Sequence, residues 1–226
     1  MFYILFAAVI GYLLGSLNSS LIVGKFYGVD VRKKGSGNAG TTNTLRTLGK
    51  KAAFFTAAGD VLKCIIACLL GGYILKLSVD TRLMDFATPV ALETYKDFFF
   101  NIGIMVGGVA ATVGHNWPIY FKFKGGKGIL TTFTVIIMMD WRIAILLFGI
   151  FLIIVAITRY VSLGSVICVV ALPFVSIIPF FEKYLIFTVF SAILAILAVI
   201  RHRHNIVRIA FGTEAKINLG KGFKKD

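Results

Sequence analysis

The sequence predicts an all-α membrane protein: a polytopic bundle of seven transmembrane helices, with the N-terminus outside and the C-terminus in the cytoplasm. Three observations carry that reading. Hydrophobic residues make up 58% of the 226 residues and the mean hydropathy is +0.88, a balance that belongs to chains solvated by lipid. Long apolar runs nearly free of charge recur along the chain. Lys and Arg in the connections divide eighteen against five between the two sides, and the basic-rich side faces the cytoplasm. The formal charge of +14 therefore reflects this asymmetry together with anionic ligands or lipid, and no nucleic acid is expected. The length suits one integral-membrane domain over 1–226.

The first span is expected over 2–23. Its start lacks a basic leader and a small-residue cleavage site, so it reads as a helix and not a cleaved signal. Ser16, Asn18, Ser19 and Ser20 within it should face other helices, because lipid cannot satisfy them. A polar loop follows over 25–51. The second span, 52–77, holds Asp60 and Lys63 three residues apart on one face. Charges inside a span are costly, so the pair either locks the helix or supports a ligand site. A polar segment over 78–97 contains Asp80, Arg82, Asp85 and Pro89, with Pro89 breaking it. The third span, 98–114, is rich in small residues that permit close helix packing. A basic loop over 115–127 leads to a fourth apolar run, 128–139, which at 12 residues is short for a crossing. Spans over 143–157, 161–181 (kinked by Pro173 and Pro179) and 184–200 complete the set, and a basic tail begins at Arg201. Cys64, Cys68 and Cys168 lie in apolar runs and read as small core residues, with no disulfide framework. No repeat suggests the inverted halves of a transporter.

Residues 35–46 read Gly-Ser-Gly-Asn-Ala-Gly-Thr-Thr-Asn-Thr-Leu-Arg. Gly35, Gly37 and Gly40 let backbone N–H groups converge on one ligand. Ser36, Thr41 and Thr42 add hydroxyls, Asn38 and Asn43 add amides, and Arg46 adds a planar fork suited to phosphate. Many donors without a carboxylate describe an anion site, not a metal site. The second basic loop carries Gly114-His115-Asn116-Trp117-Pro118 and then Phe123-Lys124-Gly125-Gly126-Lys127-Gly128. Three glycines around Lys127, just before an apolar helix, again favour phosphate. It is no Walker A loop, which needs Gly at 121 and Ser or Thr at 128, where Phe and Gly stand. The tail opens with His202-Arg203-His204-Asn205-Ile206-Val207-Arg208, followed by Gly212-Thr213-Glu214. Three histidines without a recognisable ligand set do not make a zinc site. No G-x-S-x-G surrounds Ser36, and the H-x-x-x-x-D dyad of many glycerolipid acyltransferases is missing, since Tyr120 stands five residues after His115. The chemistry should need no protein base.

Together the three segments resemble the bacterial integral-membrane acyl-phosphate:glycerol-3-phosphate acyltransferases. The resemblance lies in G-S-G-N-x-G-x-T-N-x-L-R at 35–46, G-H-x-x-P with F-x-G-G-K-G at 114–128, and H-R-x-N-I-x-R with G-T-E at 202–214; Gly59-Asp60-Val61-Leu62-Lys63 is also similar to the family. It departs mildly, with Asn18 where Pro is frequent and Leu130-Thr131 after the second motif where Ala-Thr is common. The resemblance implies transfer of a fatty acyl group from acyl phosphate to the 1-hydroxyl of glycerol 3-phosphate, giving 1-acyl-glycerol 3-phosphate at the cytoplasmic face of the bacterial inner membrane. It implies Ser36, Arg46, Lys127, His202 and Asn205 as catalytic residues. Gly35, Gly37, Asn38, Gly40, Thr41, Thr42, Asn43, His115, Gly125, Gly126, Gly128, Arg203 and Arg208 would bind the substrates. Membrane lipid is the surrounding partner, and no cofactor, metal or obligatory protein partner is implied. Two other readings are weighed against it. A transporter of organophosphate or another small anion accounts for the spans and intramembrane charges, but its site belongs at the midplane. A lipid-binding scaffold predicts no turnover.

Overall fold

The computed structural model describes residues 1–79, 88–181 and 185–217; the expectations for Asp80, Arg82, Asp85 and the end of the tail lie outside the described residues. Within them the chain is helical, with no strand. It divides into two compact units, Met1–Met139 and Asp140–Asp226.

The first unit holds α1 (Phe2–Ser16), α2 (Ser19–Phe26), α3 (Thr41–Leu48), α4 (Lys50–Leu77), α5 (Pro89–Asn116) and α6 (Ile129–Met139). The expected first span is interrupted at Leu17 and Asn18. Asn18 caps α2, its side-chain oxygen accepting the Leu21 N–H at 3.1 Å, and its amide donates to Ala39 O at 3.3 Å. A cap of this kind satisfies a helix N-terminus that has no preceding turn. The polar patch is buried as expected: Ser16, Asn18, Ser19 and Ser20 all lie inside the unit. α1, α4 and α5 pack through small residues. A Cβ at Gly15 would overlap the Ala111 backbone, one at Gly71 the Gly103 carbonyl, and one at Gly107 the Ala67 carbonyl. Such close backbone approach replaces the hydrophobic effect as the source of helix association in lipid.

Two expectations for this unit are corrected. Pro89 does not break the segment but opens α5, with the Thr88 hydroxyl capping the Ala91 N–H at 3.3 Å; proline is tolerated there because its missing N–H would have no helical partner. The stretch 25–51 is not all loop. It contains a 3₁₀ turn at Val31–Lys33 and the helix α3, so Thr41 through Arg46 are helical.

The second unit holds α7 (Trp141–Thr158), α8 (Val161–Ser176) and α9 (Leu185–Ala210). Asp140 caps α7, accepting the Arg142 N–H at 2.8 Å and pairing with its guanidinium at 2.9 Å. The expected span 161–181 is shorter as a helix: α8 runs through Pro173 but ends at Ser176, and a 3₁₀ turn follows at Pro179–Phe181. The basic tail is not a loop at its start, because α9 continues past Ile200 to Ala210 and carries the third motif on its last turns.

Among the described residues, five segments are long and apolar enough to cross a membrane: Phe2–Phe26, Lys50–Leu77, Pro89–Phe121, Trp141–Thr158 and Leu185–Ala210; Ile129–Met139 and Val161–Ser176 are shorter apolar helices. All three cysteines are free and buried.

Candidate active site

The first glycine-rich segment is built around Asn43. Its amide nitrogen donates to Val31 O at 2.8 Å and Lys34 O at 3.0 Å, and its oxygen accepts the Ser36 N–H at 2.8 Å. The side chain is 1% exposed, so Asn43 organises the loop from inside and its amide donors are already engaged. Gly35 and Gly37 adopt φ of +58° and +71°, the left-handed region that an L side chain resists, and a Cβ on Gly35 would also strike the Asn43 amide. This backbone leaves Ser36 exposed and Asn38 half-buried. Gly40 precedes α3 without any side-chain cap. Thr41 Oγ1 is buried with no hydrogen-bond partner among the described residues, while Thr42 is exposed and Arg46 half-buried along α3.

The second segment folds back on the first. After a 3₁₀ turn at Ile119–Phe121, Lys122 and Phe123 both take positive φ, 57° and 58°. Arg32 spans the two segments. It forks onto Asp30 at 3.0 and 2.9 Å and donates to Phe121 O at 3.3 Å and Lys124 O at 3.4 Å. The same guanidinium holds the Asp30 carboxyl below its usual range. Gly126 donates its N–H to His115 O at 3.0 Å. Its Cα sits so close to its neighbours that an added Cβ would overlap His115 Nε2 and stand 2.7 Å from Ala39 O. Gly125 likewise lies against the His115 carbonyl and Pro118, and Gly128 (φ +77°) against the Asn116 side chain. Half-buried Lys127 stands between them. His115 is 4% exposed; its Nδ1 lies 3.1 Å from Lys63 Nζ, which pairs with Asp60 Oδ1 at 2.8 Å. Within the first unit the structure thus brings Ala39 of the first segment and the His115 ring to the same glycine, Gly126, of the second.

In the second unit the third motif lies along α9. His202 and Asn205 are 2% and 4% exposed. His202 Nδ1 lies 2.8 Å from Ala198 O; a carbonyl only accepts, so Nδ1 carries a proton. Glu214 returns over the helix end as a clamp. Its Oε1 accepts from Ser162 Oγ and Asn205 Nδ2, both at 2.6 Å, and its Oε2 from Arg208 Nε at 2.7 Å. Burial by itself would raise the Glu214 pKa; the three donors outweigh it and hold the carboxyl below its ordinary value. Asn205 Nδ2 also donates to Ser162 Oγ at 2.9 Å. Both amide hydrogens are thereby engaged, and the carboxylate partner fixes which end of the amide is nitrogen. Arg208 is engaged by Glu214. Arg203 is exposed and turns back to Ile200 O at 3.2 Å, away from the His202 and Asn205 face.

The sequence shows some contributors but not their partners. Asp60 and Lys63 carried a signal, two charges one turn apart in an apolar run, but their partner His115 is 52 residues away from Lys63. Glu214 stands in the Gly-Thr-Glu of the third motif, without a sign of its partners. Arg32 and Ser162 escape the sequence reading, because the contacts that matter, Phe121 and Lys124 for Arg32 and Asn205 and Glu214 for Ser162, are remote in the chain.

A family model described as "Glycerol-3-phosphate acyltransferase" matches residues 5–212. The glycerol-3-phosphate acyltransferase of Thermoanaerobacter sp. (strain X514) is 39% identical over 216 residues, 95% of this chain and 96% of that protein. The one from Clostridioides difficile (strain 630) is 38% identical over 216 residues, 95% of each. Among solved structures, the glycerol 3-phosphate form of PlsY (YgiH), an integral membrane glycerol 3-phosphate acyltransferase, is similar with a TM-score of 0.76 and 30% identity, covering 95% of this chain and 96% of that one. Its lysophosphatidic acid form gives a TM-score of 0.73 at 29% identity, covering 95% of both.

Proposed function

The chain belongs to the glycerol-3-phosphate acyltransferase family, and from that membership we propose how its three motifs carry the reaction. The enzyme transfers an acyl group to glycerol 3-phosphate. The donor is acyl phosphate, the acceptor atom is the 1-hydroxyl, and the product is 1-acyl-glycerol 3-phosphate. The observation that carries this reading is the joining of the two glycine-rich segments at Gly126, where Ala39 O and the His115 ring both abut it. Two donor-rich loops side by side suit a reaction whose two substrates each carry phosphate.

Ser36 and Lys127, with the glycine N–H groups, hold the donor phosphate and the charge that develops on the carbonyl oxygen. The family motifs assign Arg46 in the first unit and, separately, His202 and Asn205 in the second to glycerol 3-phosphate. With both its amide hydrogens engaged, Asn205 offers Oδ1, an acceptor that orients the substrate hydroxyl. Asn43, Glu214 and Arg208 serve as scaffolding for these groups, and Gly35, Gly37, Asn38, Gly40, Thr41 and Thr42 line the first loop. The hydroxyl oxygen bonds to the acyl carbon, the bond from that carbon to the phosphate oxygen breaks, and the departing phosphate takes the hydroxyl proton. A mixed anhydride is already activated, so positioning and electrostatics supply most of the rate, in keeping with the lack of the H-x-x-x-x-D dyad.

The apolar runs favour seven spans in one domain over 1–226, and the basic asymmetry of the connections favours an N-terminus outside and motifs at the cytoplasmic face of the inner membrane; the shorter helices α6 and α8 then cross only where the bilayer is locally thinned. The experiment is product formation by purified protein in detergent with palmitoyl phosphate or palmitoyl-CoA. Turnover with the first alone is expected. Comparable rates with palmitoyl-CoA would refute the donor assignment, and no turnover with either would favour a transporter or a scaffold.

A further inference from the structure

Deep in α4, beneath the two loops, lies a group the reaction scheme does not use. Asp60 and Lys63 are 1% and 6% exposed. An ion pair in a membrane-spanning helix is costly, and apolar residues of similar volume would serve stability as well. The pair is therefore better explained by what it holds. Lys63 Nζ has three N–H bonds and three partners: Asp60 Oδ1 at 2.8 Å, Leu17 O at 3.0 Å and His115 Nδ1 at 3.1 Å. Leu17 O is exposed to it by the interruption between α1 and α2, and Asp60 Oδ1 in turn accepts the Ser19 N–H at 3.4 Å. An ammonium only donates, so the nitrogen facing it must accept. A neutral imidazole with Nδ1 as acceptor carries its proton on Nε2. The Asp60 carboxylate also lies 3.5 Å from Nδ1, but the ammonium stands nearer.

Nε2 is the ring atom that a Cβ on Gly126 would strike, and Ala39 O is 2.7 Å from that same point. The ring therefore lies against the second loop at Gly126, the point that the first loop reaches through Ala39 O, and the same residue's carbonyl takes the Gly126 N–H at 3.0 Å. We propose that Asp60 and Lys63 are positioning residues that act through His115, fixing its ring with the proton on Nε2 so that the two glycine loops are held at one separation. The proposal rests on the reading of those loops as the substrate site.

The test is a mutant cycle on the purified protein, read as kcat/KM with palmitoyl phosphate and glycerol 3-phosphate. Asp60→Asn with Lys63→Met removes both charges together, so neither is left buried alone. It is expected to lower kcat/KM about 10- to 100-fold, the loss that goes with displacing a positioned group by about 1 Å. His115→Ala should cost a similar factor, and adding it to the Asp60→Asn, Lys63→Met variant should cost little more, because residues acting as one unit are not additive. Losses that multiply, or a charge-free variant with full activity, would overturn the proposal. The wild-type protein gives a second readout that needs no folded variant. ¹⁵N NMR of labelled histidine should show a neutral His115 ring protonated at Nε2; a ring protonated at Nδ1, or at both nitrogens, overturns the proposal. Lys127→Ala in the same assay reads the loop assignment separately. If it keeps full activity, that assignment fails while the His115 tautomer can still be as stated.

Discussion

Replacing Gly126 with Ala adds one methyl group at the point of the candidate site where the two glycine-rich segments meet. The new Cβ would overlap His115 Nε2, stand 2.9 Å from His115 Cε1 and 2.7 Å from Ala39 O. Ordinary contacts begin at 3.4 Å, so Ala39 must retreat by roughly 0.7 Å and the imidazole by more. Neither moves easily: Ala39 is fully buried, its carbonyl holds the Asn18 amide, and His115 is held by Lys63. Overpacking of this kind costs about 1–3 kcal/mol, and parting two substrate loops by about 1 Å lowers turnover on the order of 100-fold. Gly149 is the matched control. It lies in α7 with nothing within 4 Å of an added Cβ, so Gly149→Ala should keep activity and add up to about 1 kcal/mol through helix propensity. The assay is phosphate release from palmitoyl phosphate in the presence of glycerol 3-phosphate, with a thermal melt of each protein in detergent. A Gly126→Ala protein within about threefold of wild type and with an unchanged midpoint would refute the reasoning, since neither the spacing of the loops nor its catalytic importance would be as described.

Lys127→Ala should lower turnover by about two to three powers of ten, and Lys127→Arg should restore it only in part, because the flanking glycines are packed against His115 and Asn116 and leave little room for a planar fork; near-normal activity in the Ala variant would move the phosphate site to Arg46. Glu214 is held below its ordinary pKa of 4.5, so its clamp contributes stability that is fully present above pH 4.5 and is lost as pH falls through the lower folded value. The melting difference between wild type and Glu214→Gln should accordingly shrink in acid, and a difference that grows would refute the clamp. Single cysteines at Lys33, Lys124 and Lys221 should resist a membrane-impermeant thiol reagent in intact cells while one at Asp85 reacts; labelling at Lys124 from outside would sink the proposed orientation.

The sequence by itself determined the all-helical membrane class and the motifs. Hydropathy is a sum over neighbouring residues, so α4, α5, α7 and α9 were visible to within a few residues at most of their ends, and the glycine-rich segments announced themselves by residue type. Where the reading failed, a local signal had two meanings. Pro89 can stop a segment or open a helix, and only the Thr88 cap beneath it decided for the opening. Thr41 to Arg46 resembled loop because the donors of an anion site are also turn formers; burial of Asn43 and Thr44 against the preceding segment made them helical. Arg201 onward reads as a basic tail, but α9 continues through it to Ala210 with His202 and Asn205 buried. Tertiary structure alone decided which donors remain for a ligand. The amide hydrogens of Asn43, a donor by residue type, are taken up by Val31 and Lys34, and those of Asn205 by Ser162 and Glu214. It also decided that Lys63 meets both the Leu17 carbonyl and His115, 46 and 52 residues away. A side chain's type is written in the sequence, but whether its hydrogen-bonding capacity is already satisfied depends on partners that only the packed helices bring within 3 Å.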